Sequence, residues 1–159
     1  MNNDLHKNEY KFFPKNKNEL QEIIKSQIKK FGYKCDLNNI NTSKITDMSE
    51  LFYISFFNGN ISKWNVSNVT NMSFMFASSK FNGNINKWNV GNVTNMFIMF
   101  KNSKFNGDIS EWDVSNVTNM TSMFGNSKFN KSINKWNVSN VKNMSYMFEH
   151  SEFNKSVST

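Results

Sequence analysis

The residues able to do chemistry are few and scattered. Cys35 is the only cysteine, so no internal disulfide can close, and a nucleophilic thiolate would need a histidine beside it. The two histidines, His6 and His150, lie in opposite end regions of the chain. Asp108, Glu111 and Asp113 fall together at i, i+3 and i+5, a spacing that can gather hard oxygen donors around a cation. Their counterparts elsewhere in the chain are mostly Asn, Ser or Lys, so that acidic spot is not repeated. Ten methionines offer thioethers, which are soft copper ligands, but their helix-face spacing reads as core. Four tryptophans at equal intervals could stack sugars or bases, but the apolar residues spaced around them place them inside. These residues predict no catalytic centre, no metal site and no cofactor, and hence no enzyme.

The charge is basic, +7 overall, and every basic residue is lysine. Residues 1–35 hold eight lysines against four acids, and the rest of the chain eleven against eight. Such an excess raises encounter rates with anionic partners without selecting one. The opening MNNDLHKNEYKFFPKNK has no apolar run of signal-peptide length and no lipoprotein cysteine, and no stretch approaches a membrane span. A cytoplasmic location is the default expectation.

What must position all of this is an internal repeat. Met48, Met72, Met96, Met120 and Met144 lie 24 residues apart, and Phe52, Phe76, Phe100, Phe124 and Phe148 keep the same step. A second phenylalanine series runs through 57, 81, 105, 129 and 153, and Trp64, Trp88, Trp112 and Trp136 form another. No insertion breaks the register, and residues 36–159 are about five such units.

Within one unit, Ile85-x-x-Trp88-x-Val90 has the apolar spacing of a leucine-rich repeat, with Trp88 and Val90 alternating about Asn89 as on a short strand. Val93, Met96, Met99 and Phe100 then follow at i, i+3, i+6 and i+7, one face of a short helix. The Asn68 and Asn71 series suit amide ladders between adjacent units. Before the repeats, Asn18 can cap a helix with apolar positions Leu20, Ile23, Ile24, Ile28 and Phe31, and Gly32 can stop it. The expected architecture is an α/β repeat solenoid of leucine-rich-repeat type, with short parallel strands and short helices. Its domains are an arm over 1–17, flexible or loosely docked, an N-terminal capping helix over 18–35, and the repeats over 36–159.

The unit M-S-x-M-F-x-x-S-K-F-N-G-N-I-S-K-W-N-V-S-N-V-T-N resembles the repeats of BspA-like leucine-rich-repeat proteins, among them lipoprotein repeats of unknown function from mycoplasmas. The resemblance covers about 36–159 and implies a repeat domain used in adhesion or partner binding.

Positions where the units disagree are those that packing does not dictate. One column reads Glu50, Phe74, Ile98, Ser122, Tyr146, and Phe97 is a further surplus apolar residue. Phe74, Phe97, Ile98 and Tyr146 are therefore the candidate partner surface. Two lysine columns, Lys80, Lys104, Lys128 and Lys63, Lys87, Lys135, are the candidate contacts for a polyanion. The expected function is a non-enzymatic scaffold for protein–protein binding or self-association. The alternatives are binding of nucleic acid or an anionic glycan through the lysines, and a surface adhesion module or virion component.

Overall fold

The computed structural model describes residues 10–156. Among them there is one helix, α1 (Lys17–Phe31), and it starts earlier than its apolar pattern suggests. The cap is Asn16 rather than Asn18. Its side-chain oxygen accepts the Glu19 N–H at 3.0 Å, and the Glu19 carboxylate accepts the Lys15 N–H at 2.8 Å, so this is a form of capping box. Gly32 ends the helix at φ 81°, a backbone state that costs glycine little, and its N–H donates to the Ile28 carbonyl at 2.8 Å. Leu20 and Ile24 are buried against the first repeat unit, and Ile23 and Ile28 are half-buried. Gln27 takes the remaining inward place, whereas Phe31 stays exposed. Lys17 fixes the start of α1 to that unit through the Ser49 hydroxyl, at 2.6 Å. Residues 11–12 run beside 39–41, with a parallel bridge between Phe12 and Ile40. Residues 1–9 of the arm lie outside the described residues.

The repeats do not form the expected α/β solenoid. Beyond α1 no helix occurs among the described residues, and strand pairing is limited to single bridges, so no sheet is built. The hydrogen bonds of one segment give the reason. The Met72, Phe74, Phe76 and Ser78 N–H groups donate outward, to the carbonyls of Asn95, Phe97, Met99 and Lys101 in the next unit. Those of Met75, Ala77 and Ser79 donate backward, to the carbonyls of Met72, Phe74 and Phe76. The Ser73 N–H, between them, goes to the Asn71 side chain at 3.1 Å. Every donor has a partner, which is what burial requires of a backbone, but none makes a helical i→i−4 bond.

Left-handed residues make this alternation possible. Phe74 and Ser78 have φ of 58° and 55°, and the same two positions are left-handed in every unit through His150. A chain of overlapping turns thereby sends Met72, Met75 and Phe76 inward at the spacing that an α-helix would also give. The segment expected as a strand is broken in the same way. Trp88 N–H donates to the Ile85 carbonyl and Val93 N–H to the Val90 carbonyl, while the Asn84 and Asn89 side chains turn the backbone by accepting the N–H two residues on.

Each unit is thus a loop of turns lying on the loop before it. The rings of Phe52, Phe76, Phe100, Phe124 and Phe148 stack at 5.5–5.7 Å, and those of Phe57, Phe81, Phe105, Phe129 and Phe153 at 6.1–6.3 Å. The two columns also stack on each other inside each unit, as Phe100 on Phe105 at 4.3 Å. The core is therefore one aromatic spine running the length of the repeats. Each indole N–H of Trp64, Trp88, Trp112 and Trp136 donates to a buried carbonyl of the preceding unit, at 2.9–3.2 Å. This satisfies the one polar atom that such a core would otherwise strand.

Asparagine supplies the outer seams. Asn68, Asn92, Asn116 and Asn140 donate their side-chain amides to backbone carbonyls one unit back, at 2.7–2.8 Å. The expected amide-on-amide ladder does not form. The Asn71 series instead accepts the N–H two residues on, and so shapes its own turn. A third series passes from unit to unit: the side-chain oxygens of Asn58, Asn82, Asn106 and Asn130 accept the N–H groups of Asn82, Asn106, Asn130 and Asn154.

Candidate interaction surfaces

Among the described residues, those that could do chemistry are dispersed over the fold. Cys35 is buried at the junction of α1 and the repeats, and burial pushes its thiol up, away from the reactive thiolate. Its backbone environment lowers the pKa less and Asp36 raises it further. His150 is exposed, and His6 lies outside the described residues. The Trp64 and Trp88 rings are buried and stacked on each other, parallel within 2°, so their faces are closed to sugars. Met72, Met96 and Met120 are fully buried, whereas Met144 is exposed.

The acidic spot is also occupied by its own neighbours. Asp108 is held below the usual carboxylate range by the Ser110 backbone and side chain, with Lys131 and Lys135 adding smaller effects. Asp113 is lowered likewise by Ser115. Glu111 accepts from Lys135, and this contact raises the lysine pKa. Among the described residues no group of three or more His, Cys, Asp or Glu is arranged to hold a metal ion. A cleft of about 230 Å³ runs past Glu111, Asp113 and Lys135, below the ~300–1,000 Å³ of ordinary ligand pockets. A larger but more open cleft of about 430 Å³ lies at Phe13–Ile23, and one of about 210 Å³ at Asp36–Lys63.

The candidate partner residues divide. Phe74, Phe97 and Ile98 come together, half-buried. The Phe74 ring meets Phe97 edge-on at 5.2 Å, and Ile98 follows Phe74 by one unit. Tyr146 is two units further on, with the buried Ser122 between it and Ile98, and it does not join them. Tyr53 does join them, its ring 5.8 Å from Phe74.

Both lysine columns face outward, but neither is uniformly basic. Lys128 pairs with Glu152, and Lys135 with Glu111. Lys63, Lys80, Lys87 and Lys104 have no acidic partner among the described residues.

Of the largest exposed apolar groups, Tyr146 is a sequence candidate. Ile54 and Phe56 in the first unit, Phe31 and Tyr33 just before it, and Phe13 in the arm are not. Column comparison carries the signal. Ile54 stands over Ser78, Asn102, Asn126 and His150, and Phe56 over Lys80, Lys104, Lys128 and Glu152. Ile54 is also left-handed, at φ 51°, where a β-branched residue is strained. Ile54→Asn adopts the residue of two later units and is expected to raise stability by about 0.5–1 kcal/mol, read by urea unfolding. A loss of stability would mean that the Ile54 side chain packs in the free protein.

Fold and surface together define a protein of stacked 24-residue turns that presents side-chain columns to its surroundings. The sequence model of the family described as "Mycoplasma protein of unknown function, DUF285" matches residues 18–128 and 79–159, and the chain belongs to that family. No curated protein and no solved structure matches it. Helix α1 is neither long nor apolar enough to cross a membrane, and no other helix occurs among the described residues.

Proposed function

We propose that this chain is a non-enzymatic scaffold that assembles with protein, its own copies included, through the surface around Phe74. The observation that supports this is the aromatic cluster of Tyr53, Phe74 and Phe97 on the outside of the turns. Equivalent units do without it: Ser122 stands in the Phe74 column, and Thr121 in the Phe97 column. Packing therefore does not demand aromatics there, and their incomplete burial leaves apolar area to be covered. The kinship suggested by the repeat motif, with BspA-like proteins of adhesion, fits the same reading. A polyanion surface is less favoured, because Glu111 and Glu152 each neutralise a lysine of the two columns.

Light scattering of the intact chain tests the proposal. The expected result is a concentration-dependent oligomer that a Phe74→Ser, Phe97→Ser double variant returns to monomer. A parent mass equal to the monomer at all concentrations, with no binding measurement altered in the variant, would overturn it.

A further inference from the structure

Exposed apolar residues of the first unit and of the segment just before it offer a second surface. Phe31, Tyr33, Ile54 and Phe56 are 60%, 52%, 64% and 63% exposed. The Tyr33 and Phe56 rings meet at 5.8 Å, so two of the exposed rings make one patch. Burial of Ile54 by something outside this chain would offset both its exposure and its left-handed backbone, where the later units carry the polar Ser78, Asn102, Asn126 and His150 in the same backbone state.

Lysines surround these side chains. Lys29 and Lys30 form the last turn of α1, with the Lys30 ammonium 5.1 Å from the centre of the Phe31 ring, and Lys34 follows Tyr33. Lys80 continues the Phe56 column. All four are exposed, and among the described residues none lies within ion-pair distance of a carboxylate. In the segment 50–57 the single acid is Glu50. The uncovered charge calls for an anionic partner, and the uncovered side chains for an apolar one.

We propose that Phe31, Tyr33, Ile54 and Phe56, flanked by Lys30 and Lys34, dock this protein on an anionic lipid bilayer. Rings and aliphatic groups enter the headgroup boundary, and the lysines meet lipid phosphates and carboxylates. Two observations favour a bilayer over the other anionic partners. The four apolar side chains are each more than half exposed and line none of the three clefts described above, whereas a peptide's side chains need pockets. A single-stranded nucleic acid would use the rings for stacking but gives Ile54 no role.

The test is co-sedimentation of the whole chain with vesicles of phosphatidylcholine, with and without phosphatidylglycerol, at low and high salt. The expected result is binding only where phosphatidylglycerol is present, weakening as salt rises. Phe56→Ser is expected to lower the partition coefficient at least tenfold, and Lys34→Gln about fivefold. Both side chains are exposed, so the variants keep the fold, which circular dichroism verifies. Phe13→Ser, an exposed ring in the N-terminal arm, leaves the partition unchanged. Absence of binding at low salt overturns the proposal, as does equal binding by Phe56→Ser, or capture of a single-stranded oligonucleotide in place of vesicles. The surface around Phe74 fails or stands separately, because its double variant changes the solution mass and not the partition.

Discussion

Phe100→Ala is expected to destabilise the protein by about 3–5 kcal/mol, the largest effect available to a single truncation in the spine. The Phe100 ring is fully buried and stacks on Phe76, Phe105 and Phe124, with Trp112 tilted against it at 6.5 Å. Removing it opens a cavity with aromatic walls, each fixed by its own column and unable to close in. The hydrogen bonds between units run to residues 23–27 away in sequence, so each loop is held by its immediate neighbours. A defect in the middle therefore weakens the joint between the two halves as well as the local packing. Urea unfolding should show a lower midpoint and a shallower slope for Phe100→Ala. Phe148 occupies the same column in the last described unit, where it is only half-buried, and Phe148→Ala should cost less than half as much with the slope kept. Equal costs at the two positions would mean that the units do not support one another.

The period, the inward residues and the capping helix are legible in the amino-acid sequence, because burial dictates them directly. Phe76, Trp88 and Met96 recur at fixed steps and are all in the core. The backbone that carries them is not legible. Met72, Met75 and Phe76 point inward from a helix or from successive turns with a left-handed residue at Phe74. Side-chain spacing is the same for both, and only the destination of each N–H separates them. The usual signal for positive φ is glycine or asparagine, yet the left-handed positions hold Glu50, Ile54, Phe74 and Tyr146, with Asn only at Asn102 and Asn126. The surplus asparagines read as ladders because their two donors and two acceptors suit either role. In the fold the Asn71 series serves the turns, and the Asn68 series reaches backbone carbonyls one unit back. Phe97 and Phe74 stand out as surplus by comparing units, but the same comparison at Ile54 and Phe56 needs the first unit to be trusted as a full member of the array. Its column lacks the tryptophan, having Ile40 in that place, and its departures look like degeneracy until their exposure is known.

Gly59→Ala is expected to detach the cap from the repeats, at a cost of about 3 kcal/mol, the upper end of the ordinary range for overpacking. A Cβ at Gly59 would lie 2.0 Å from the Cys35 carbonyl oxygen and 2.7 Å from the Phe57 ring. The ring can turn, but the carbonyl cannot retreat. It accepts the Asn60 N–H at 3.1 Å, and Asp36 and Asn60 form the bridge by which the chain leaving α1 joins the first two units. The cause lies in the junction rather than in the repeat. At Gly83 the contacts under 3.0 Å are to the Phe81 ring alone, and Lys131 and Lys155 stand at the same step of later units. Gly125 offers a control, since its nearest contact would be an ordinary 3.5 Å, and Gly125→Ala should change stability by no more than about 0.5 kcal/mol. Because α1 is the only helix among the described residues, the far-UV helical signal reports on the cap. A 15-residue helix is marginal on its own, so undocking should also melt it. Gly59→Ala is therefore expected to lose helical signal at a lower urea concentration than the aromatic near-UV signal of the spine, while Gly125→Ala loses both together. Coincident transitions at the parent midpoint in Gly59→Ala would show that the backbone at Cys35 yields, and that the cap does not depend on this close approach.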